Sequence, residues 1–216
     1  MTPQQELQNW LNRPMSYSQF STWEYNYRNK VGKEEWFDRY IKNKQTPPGP
    51  ELKFGKKFGD SVEAGKPLAP VTMLSKMEQG FNVVMSGIKL VGYSDTFNKE
   101  TLKETGEYKT GVRPWTQKLV DEHKQITFYA LFNLITNKIN PEDCKFWLEW
   151  VPTVRIDRAN GDFSGDDYDI EFQQPIEVHH FDTKRTMKDI TKLIRFITDT
   201  RKEMEIYARK RLALTE

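Results

Sequence analysis

Apolar residues recur at helical spacing over the first sixty positions, and from Phe81 onward they run together or alternate as they do in strands. The pattern predicts a short helix over 4–12. A second helix opens at Ser16-Tyr17-Ser18-Gln19, where a Ser and a Gln three residues on can form a capping box. Phe20, Trp23 and Tyr27 then follow on one face. A third helix is predicted over 35–42. Thr46-Pro47-Pro48-Gly49-Pro50 breaks the chain, and Pro50 suits the first turn of a helix over 51–64. Residues 81–97 are rich in β-branched and aromatic side chains. Asn98-Lys99-Glu100 reads as a turn, and 101–110 as the returning strand of a hairpin. Pro114 ends that strand, and a helix is predicted over 116–136. Residues 145–156 read as a strand with Pro152 at an edge or bulge, 157–167 as an acidic loop, 168–174 and 176–181 as strands, and 185–213 as a basic helix. This order predicts an α/β fold, a central mixed sheet flanked by helices.

The length of 216 residues, with 37% apolar and 13% aromatic residues, allows a substantial core and excludes wholesale disorder. It predicts a single domain over 1–216, with helices in 1–64, a hairpin and helix in 81–137, and strands and a basic helix in 145–214. The longest stretch without charge, Gln125 to Asn137, has 13 residues, too few to cross a bilayer, which needs about 20. The first residues lack the charged-then-apolar pattern of a secretory signal, and Cys144 is the one cysteine. No internal disulfide and no iron–sulfur cluster can form, and the expectation is a cytoplasmic protein without a membrane anchor.

Net charge is close to zero, but its distribution is uneven. Segments 28–57 and 183–214 are basic, whereas 141–182 carries eleven acidic residues against three basic ones. Such blocks can form a phosphate-binding surface beside a metal-binding cleft, or simply solvated helix faces and loops.

The chemistry concentrates between Val91 and Tyr129. Asp95 ends Gly92-Tyr93-Ser94-Asp95 on the first hairpin strand, and Glu107 and Lys109 lie two apart on the second. Strand residues two apart share a face, and Asp95 can reach Glu107 across the hairpin. Two carboxylates beside a lysine repel each other when empty and are relieved by a hard divalent cation, Mg²⁺ or Mn²⁺. The lysine can orient or activate a water. Taken alone, the same pattern also describes an ordinary surface hairpin with a Glu/Lys pairing. Further along, Gln125 and Tyr129 share one helical face, and Glu63 lies one turn beyond Gly59, with Gly55 a turn earlier.

Taken in order, Ser16 to Phe20, Gly59 to Glu63, Gly92 to Asp95, Glu107 to Thr110 and Gln125 to Tyr129 resemble the PD-(D/E)XK nuclease superfamily, in its RecB-type and phage lambda exonuclease-like branch. The resemblance spans about residues 16 to 135. It implies a metal-dependent deoxyribonuclease, most often an exonuclease, holding one or two Mg²⁺ or Mn²⁺ ions. Asp95 and Glu107 would be metal ligands, with the Tyr108 carbonyl a third and Glu63 a further one. Lys109 would be the catalytic lysine, and Gln125 and Tyr129 would orient the site or contact the DNA backbone. Ser16, Ser18, Lys56 and Lys57 are candidate DNA contacts. DNA with free ends is the implied partner. A recombination or single-strand-binding protein and a homo-oligomer also lie within the family's range. Two other readings stand beside this one. The chain could be a nuclease-fold DNA-binding or protein-interaction module without turnover, or a carbohydrate- or peptide-binding domain using its exposed aromatics.

The remaining candidates are weaker. His179 and His180 are adjacent on a strand and so face opposite ways, poor geometry for one metal. His123 reads as a surface or groove residue. Asp162, Asp166, Asp167 and Asp169 lack the spacing of a calcium loop. Cys144 reads as a structural or inert thiol, Trp147 and Trp150 as core or interface aromatics, and the absence of a P-loop motif excludes nucleotide-driven work.

Overall fold

The computed structural model describes residues 1–25, 31–45, 47–157 and 168–213. The element order is α1 (Pro3–Asn12), α2 (Tyr17–Glu24), α3 (Val31–Trp36) running into a π-helical stretch (Phe37–Ile41), α4 (Pro50–Glu63), β1 (Lys76–Met85), β2 (Ile88–Phe97) and β3 (Glu104–Gly111). There follow α5 (Gln117–Asp121), α6 (Lys124–Asn137), a short 3-10 turn (Pro141–Asp143), β4 (Lys145–Asp157), β5 (Tyr168–Phe172), β6 (His179–Thr183) and α7 (Met187–Arg211). The six strands form one mixed sheet in the order β1-β2-β3-β4-β5, with β6 also paired to β4. The α/β architecture is the one expected from the sequence.

The chain groups into two compact units. One comprises Met1–Thr46, Phe81–Gly92 and Lys188–Glu216; the other comprises Pro47–Gly80 and Tyr93–Met187. In the first, α7 buries Ile190, Leu193, Ile197, Met204 and Ala208, the three-and-four spacing of one helical face. Trp36 takes edge-to-face contacts from Trp10 at 5.2 Å and Trp23 at 5.1 Å, and the Arg201 guanidinium lies 3.6 Å over Trp10. The predicted partner in that stripe, Tyr27, lies outside the described residues.

In the second unit, β4 is the hub. It pairs in parallel with β3 from Glu104↔Lys145 to Gly111↔Pro152, and antiparallel with β6 and β5. Its antiparallel partners meet it at Phe146–Trp150 (β6) and at Thr153–Asp157 (β5), so Pro152, which has no N–H to donate, falls in the gap between them. That is why a proline is tolerated inside a 13-residue strand. On one sheet face Tyr108, Trp147 and Val151 pack with Phe58 and Val62 of α4 and with Ala69 and Val71 of the following loop.

Several local expectations are corrected. The capping box is not at Ser16, whose side chain makes no cap bond; Ser16 Oγ bonds Ser18 Oγ at 2.6 Å, and Gln19 is drawn to Trp10 Nε1. The box forms instead at Thr2 and Gln5. The helix over 35–42 is the end of α3 and its π-helical continuation. The strand over 81–97 is two strands, divided at Ser86-Gly87, both with positive φ (50° and 78°) as a tight hairpin turn requires. The helix over 116–136 is α5 and α6, broken at His123, and the strand over 176–181 starts only at His179. The predicted loop 157–167 falls, beyond Asp157, outside the described residues, together with Asp162, Asp166 and Asp167.

Candidate active site

Asp95, Glu107 and Lys109 are brought together by a short pairing between β2 and β3, Thr96 opposite Gly106 and Phe97 opposite Thr105. The Tyr108 amide donates to Asp95 Oδ2 at 2.7 Å, so the carboxylate stands where a backbone acceptor would continue the ladder. Gly106 is required at this point. A Cβ there would sit 2.2 Å from the Trp147 ring, too close for any side chain. With Glu63, Gly55 and Gly59 of α4, the three residues and Tyr108 line a cleft of about 480 Å³.

The electrostatics follow from burial. Glu107 is 2% exposed, and its carboxylate takes an ion pair from Lys109 Nζ and a hydrogen bond from the Tyr129 hydroxyl. Lys109 Nζ also donates to Gln125 Oε1 at 3.0 Å. That bond fixes the Gln125 amide, whose Nε2 donates to the Tyr129 hydroxyl at 2.6 Å. The single hydroxyl proton of Tyr129 therefore goes to Glu107 or to the Tyr93 carbonyl, 2.9 Å away. Burial and the Glu107 carboxylate push Asp95 up to about 8, only partly offset by Lys109. Burial, then Glu107 and Asp95, also hold the Tyr129 hydroxyl well above its ordinary value.

This arrangement fits a hard cation. Two adjacent carboxylates, one of them raised by burial and by the other's charge, are the donor set that Mg²⁺ or Mn²⁺ would relieve, with the Tyr108 carbonyl as a backbone oxygen. Among the described residues no group of three acidic, His or Cys side chains converges at metal distance. Glu63 lines the cleft but is exposed, and its carboxyl is hydrogen-bonded to Glu78, which raises it above its ordinary value.

The other candidates are placed as follows. Gln125 is half-buried and Tyr129 2% exposed, so both orient Glu107 and Lys109 and Tyr129 is closed off from a passing strand. Gly59 faces open space and Gly55 meets Thr110 Oγ1 at 3.5 Å from a virtual Cβ, so neither glycine is forced by close approach to the sheet. Lys56 and Lys57 are exposed on α4, Lys56 paired with Asp60 at 2.9 Å. Ser16 and Ser18 begin α2 in the other unit, bonded to each other, with Tyr40 at 3.5 Å from Ser18 Oγ.

His123 is half-buried. It caps α6 against the edge of Trp115, and burial, Lys109 and Arg185 lower it to about 3. His179 and His180 face opposite ways, on Trp150 and Trp147 respectively. Cys144 is buried against Asn133.

Some contributing residues carry no sequence motif. Arg185, 2% exposed, donates to the carbonyls of Val120 and His123 and to the Thr127 hydroxyl, pinning the break that aims Gln125 at Lys109. Glu149, 3% exposed, is the lone acid inside Phe146-Trp147-Leu148-Glu149-Trp150, and that isolation in a buried run was its available signal.

No family model matches the sequence, and no curated protein matches it either. Among solved structures, the chain is similar to a candidate exonuclease from Eubacterium rectale, with 11% identity and a TM-score of 0.53 over 95% of this chain and 84% of that one. The two share a fold. A weaker likeness, TM-score 0.39 at 12% identity, covers 98% of this chain and all of the alkaline exonuclease of Laribacter hongkongensis in its complex with dAMP. Among the described residues no helix is long and apolar enough to cross a membrane.

Proposed function

We propose that the chain is a metal-dependent deoxyribonuclease of the PD-(D/E)XK type that hydrolyses phosphodiester bonds, working from DNA ends as an exonuclease. One observation carries this reading: Asp95 and Glu107 meet in one cleft with Lys109, where burial and then the Glu107 carboxylate raise Asp95 to about 8. The fold shared with the Eubacterium rectale protein supports it.

Asp95, Glu107 and the Tyr108 carbonyl would hold Mg²⁺ or Mn²⁺, with Glu63 available to a second ion once it leaves Glu78. When bound, the ion supplies a polarised phosphate and a water of lowered pKa. Lys109, paired with Glu107 and bonded to Gln125, would donate to the attacking water and to phosphate oxygens and stabilise developing charge. Tyr129 and Gln125 keep Glu107 and Lys109 in register. Lys56 and Lys57, exposed on α4, and Ser16 and Ser18 are assigned to phosphate contacts, which bind without reading sequence.

The test is degradation of linear DNA with Mg²⁺ or Mn²⁺, compared with closed circular DNA. Lys109→Ala and Asp95→Ala should each abolish cleavage while DNA binding persists. Undiminished cleavage in both variants would show that the chemistry lies elsewhere.

A further inference from the structure

On the sheet face opposite Glu107 and Lys109, Tyr108, Glu149 and His180 stand side by side across β3, β4 and β6 as register partners. The Glu149 carboxylate is 3% exposed. It accepts the Thr72 amide at 2.8 Å and the Thr72 hydroxyl at 2.6 Å, and lies 3.0 Å from His180 Nδ1. The Thr72 carbonyl in turn accepts the Tyr108 hydroxyl, and the Tyr108 amide donates to Asp95 at 2.7 Å. One unbroken chain of bonds thus runs from Glu149 through Thr72 and the length of Tyr108 to Asp95.

A buried carboxylate costs several kcal/mol in desolvation, and apolar residues would fill the same space more cheaply. Here three donors on two residues satisfy it, and what it secures is the loop between α4 and β1, at the residue that grips the Tyr108 ring. The Tyr108 peptide lies between Asp95 and Glu107. With its hydroxyl held by Thr72 and its amide by Asp95, Tyr108 is anchored at both ends, and a slip of Thr72 would pull on the residue whose N–H fixes Asp95.

We infer that Glu149 is a positioning residue for the cation seat, acting through Thr72 to set the orientation of the Tyr108 peptide between Asp95 and Glu107. The inference rests on the proposed metal site and names a part of its supporting shell that lies on the far face of the sheet. Bonded partners behind a metal's ligands commonly govern affinity by about 10- to 100-fold.

The test is calorimetric titration of the intact protein with Mn²⁺, alongside cleavage of linear DNA as a function of Mn²⁺ concentration. Glu149→Gln keeps the volume and removes the charge. Tyr108→Phe keeps ring and peptide and removes the hydroxyl that bonds Thr72 and Thr96, so it serves if the first variant does not fold. Each should raise the Mn²⁺ dissociation constant on the order of tenfold. For Glu149→Gln the rate at saturating Mn²⁺ should stay within about twofold, because Lys109 and Glu107 are untouched. Ile197→Val, in the other unit's core, lowers stability and should leave Mn²⁺ affinity unchanged. If Glu149→Gln and Tyr108→Phe bind Mn²⁺ like the parent while Asp95→Asn does not, the positioning role is refuted and the metal site stands. If Asp95→Asn also binds Mn²⁺ like the parent, the site itself is wrong and the inference falls with it.

Discussion

Asp95 and Tyr108 are joined by a carboxylate that takes the place of a peptide: Oδ2 accepts the Tyr108 N–H at 2.7 Å next to the short ladder between β2 and β3. The carboxylate is thereby held in the sheet beside Glu107, and burial and then the Glu107 charge raise it.

The metal-free protein should lose stability as pH rises. Asp95 titrates near 3.8 in an unfolded chain and about 8 in the fold, so the folded state holds its proton more tightly. Its contribution is favourable at acid pH and is withdrawn between about pH 4 and 8. Asp95→Asn, which keeps an acceptor for Tyr108, should flatten that slope and raise Tm at pH 8 by roughly 5 °C, the effect of about 2 kcal/mol in a chain of this size. Thermal melts in chelator at pH 5 and pH 8 measure it. A parallel shift at both values would contradict the assignment.

Tyr129→Phe removes a hydroxyl that bonds Glu107, and Gln125→Ala removes the acceptor that holds Lys109. Each should lower cleavage of linear DNA by about 10- to 100-fold with DNA affinity little changed. Affinity falling in step with the rate would instead make these residues DNA contacts.

Gly106→Ala would drive a methyl group into the Trp147 ring, with no room on a strand paired in parallel to its neighbour. The expected loss is about 1–3 kcal/mol, read from urea denaturation. Pairing it with Trp147→Leu should recover part of that loss, and no recovery would place the strain elsewhere.

Arg185→Lys should behave as a large change. A lysine cannot span Thr127, Val120 and His123 with one head group, and the deserted carbonyls lie in the interior. A loss of about 3 kcal/mol, accompanied by reduced cleavage as Gln125 drifts, is expected. Unchanged activity in a destabilised variant would restrict Arg185 to folding.

The site was legible where chemistry follows short spacing. Glu107 and Lys109 two apart on a strand, and Gln125 and Tyr129 four apart on a helix, each fix a shared direction from local geometry alone. Asp95 required only that the hairpin be paired as drawn. What stayed hidden depends on contacts distant in the chain: Glu149 reaches Thr72 across 77 positions, and Arg185 reaches Val120 across 65. The apolar run on either side of Ser86-Gly87 masks its two-residue turn, and nothing local marks His123 as the break between α5 and α6. The Ser16 capping box failed for a tertiary reason, since the buried Trp10 indole takes the glutamine it needed.

The strand that bears Glu107 and Lys109 finds only two partner residues in β2, but eight, Glu104 through Gly111, in β4, which begins at Lys145. A parallel neighbour cannot be reached by a hairpin; the polypeptide must first travel through α5 and α6 and come back. During synthesis, the carboxylates and the lysine therefore emerge well before the element that straightens their backbone. If the proposed activity holds, it would arise only on completion of the fold, and a nascent or truncated chain that stops short of β4 would carry these side chains without the frame that aligns them.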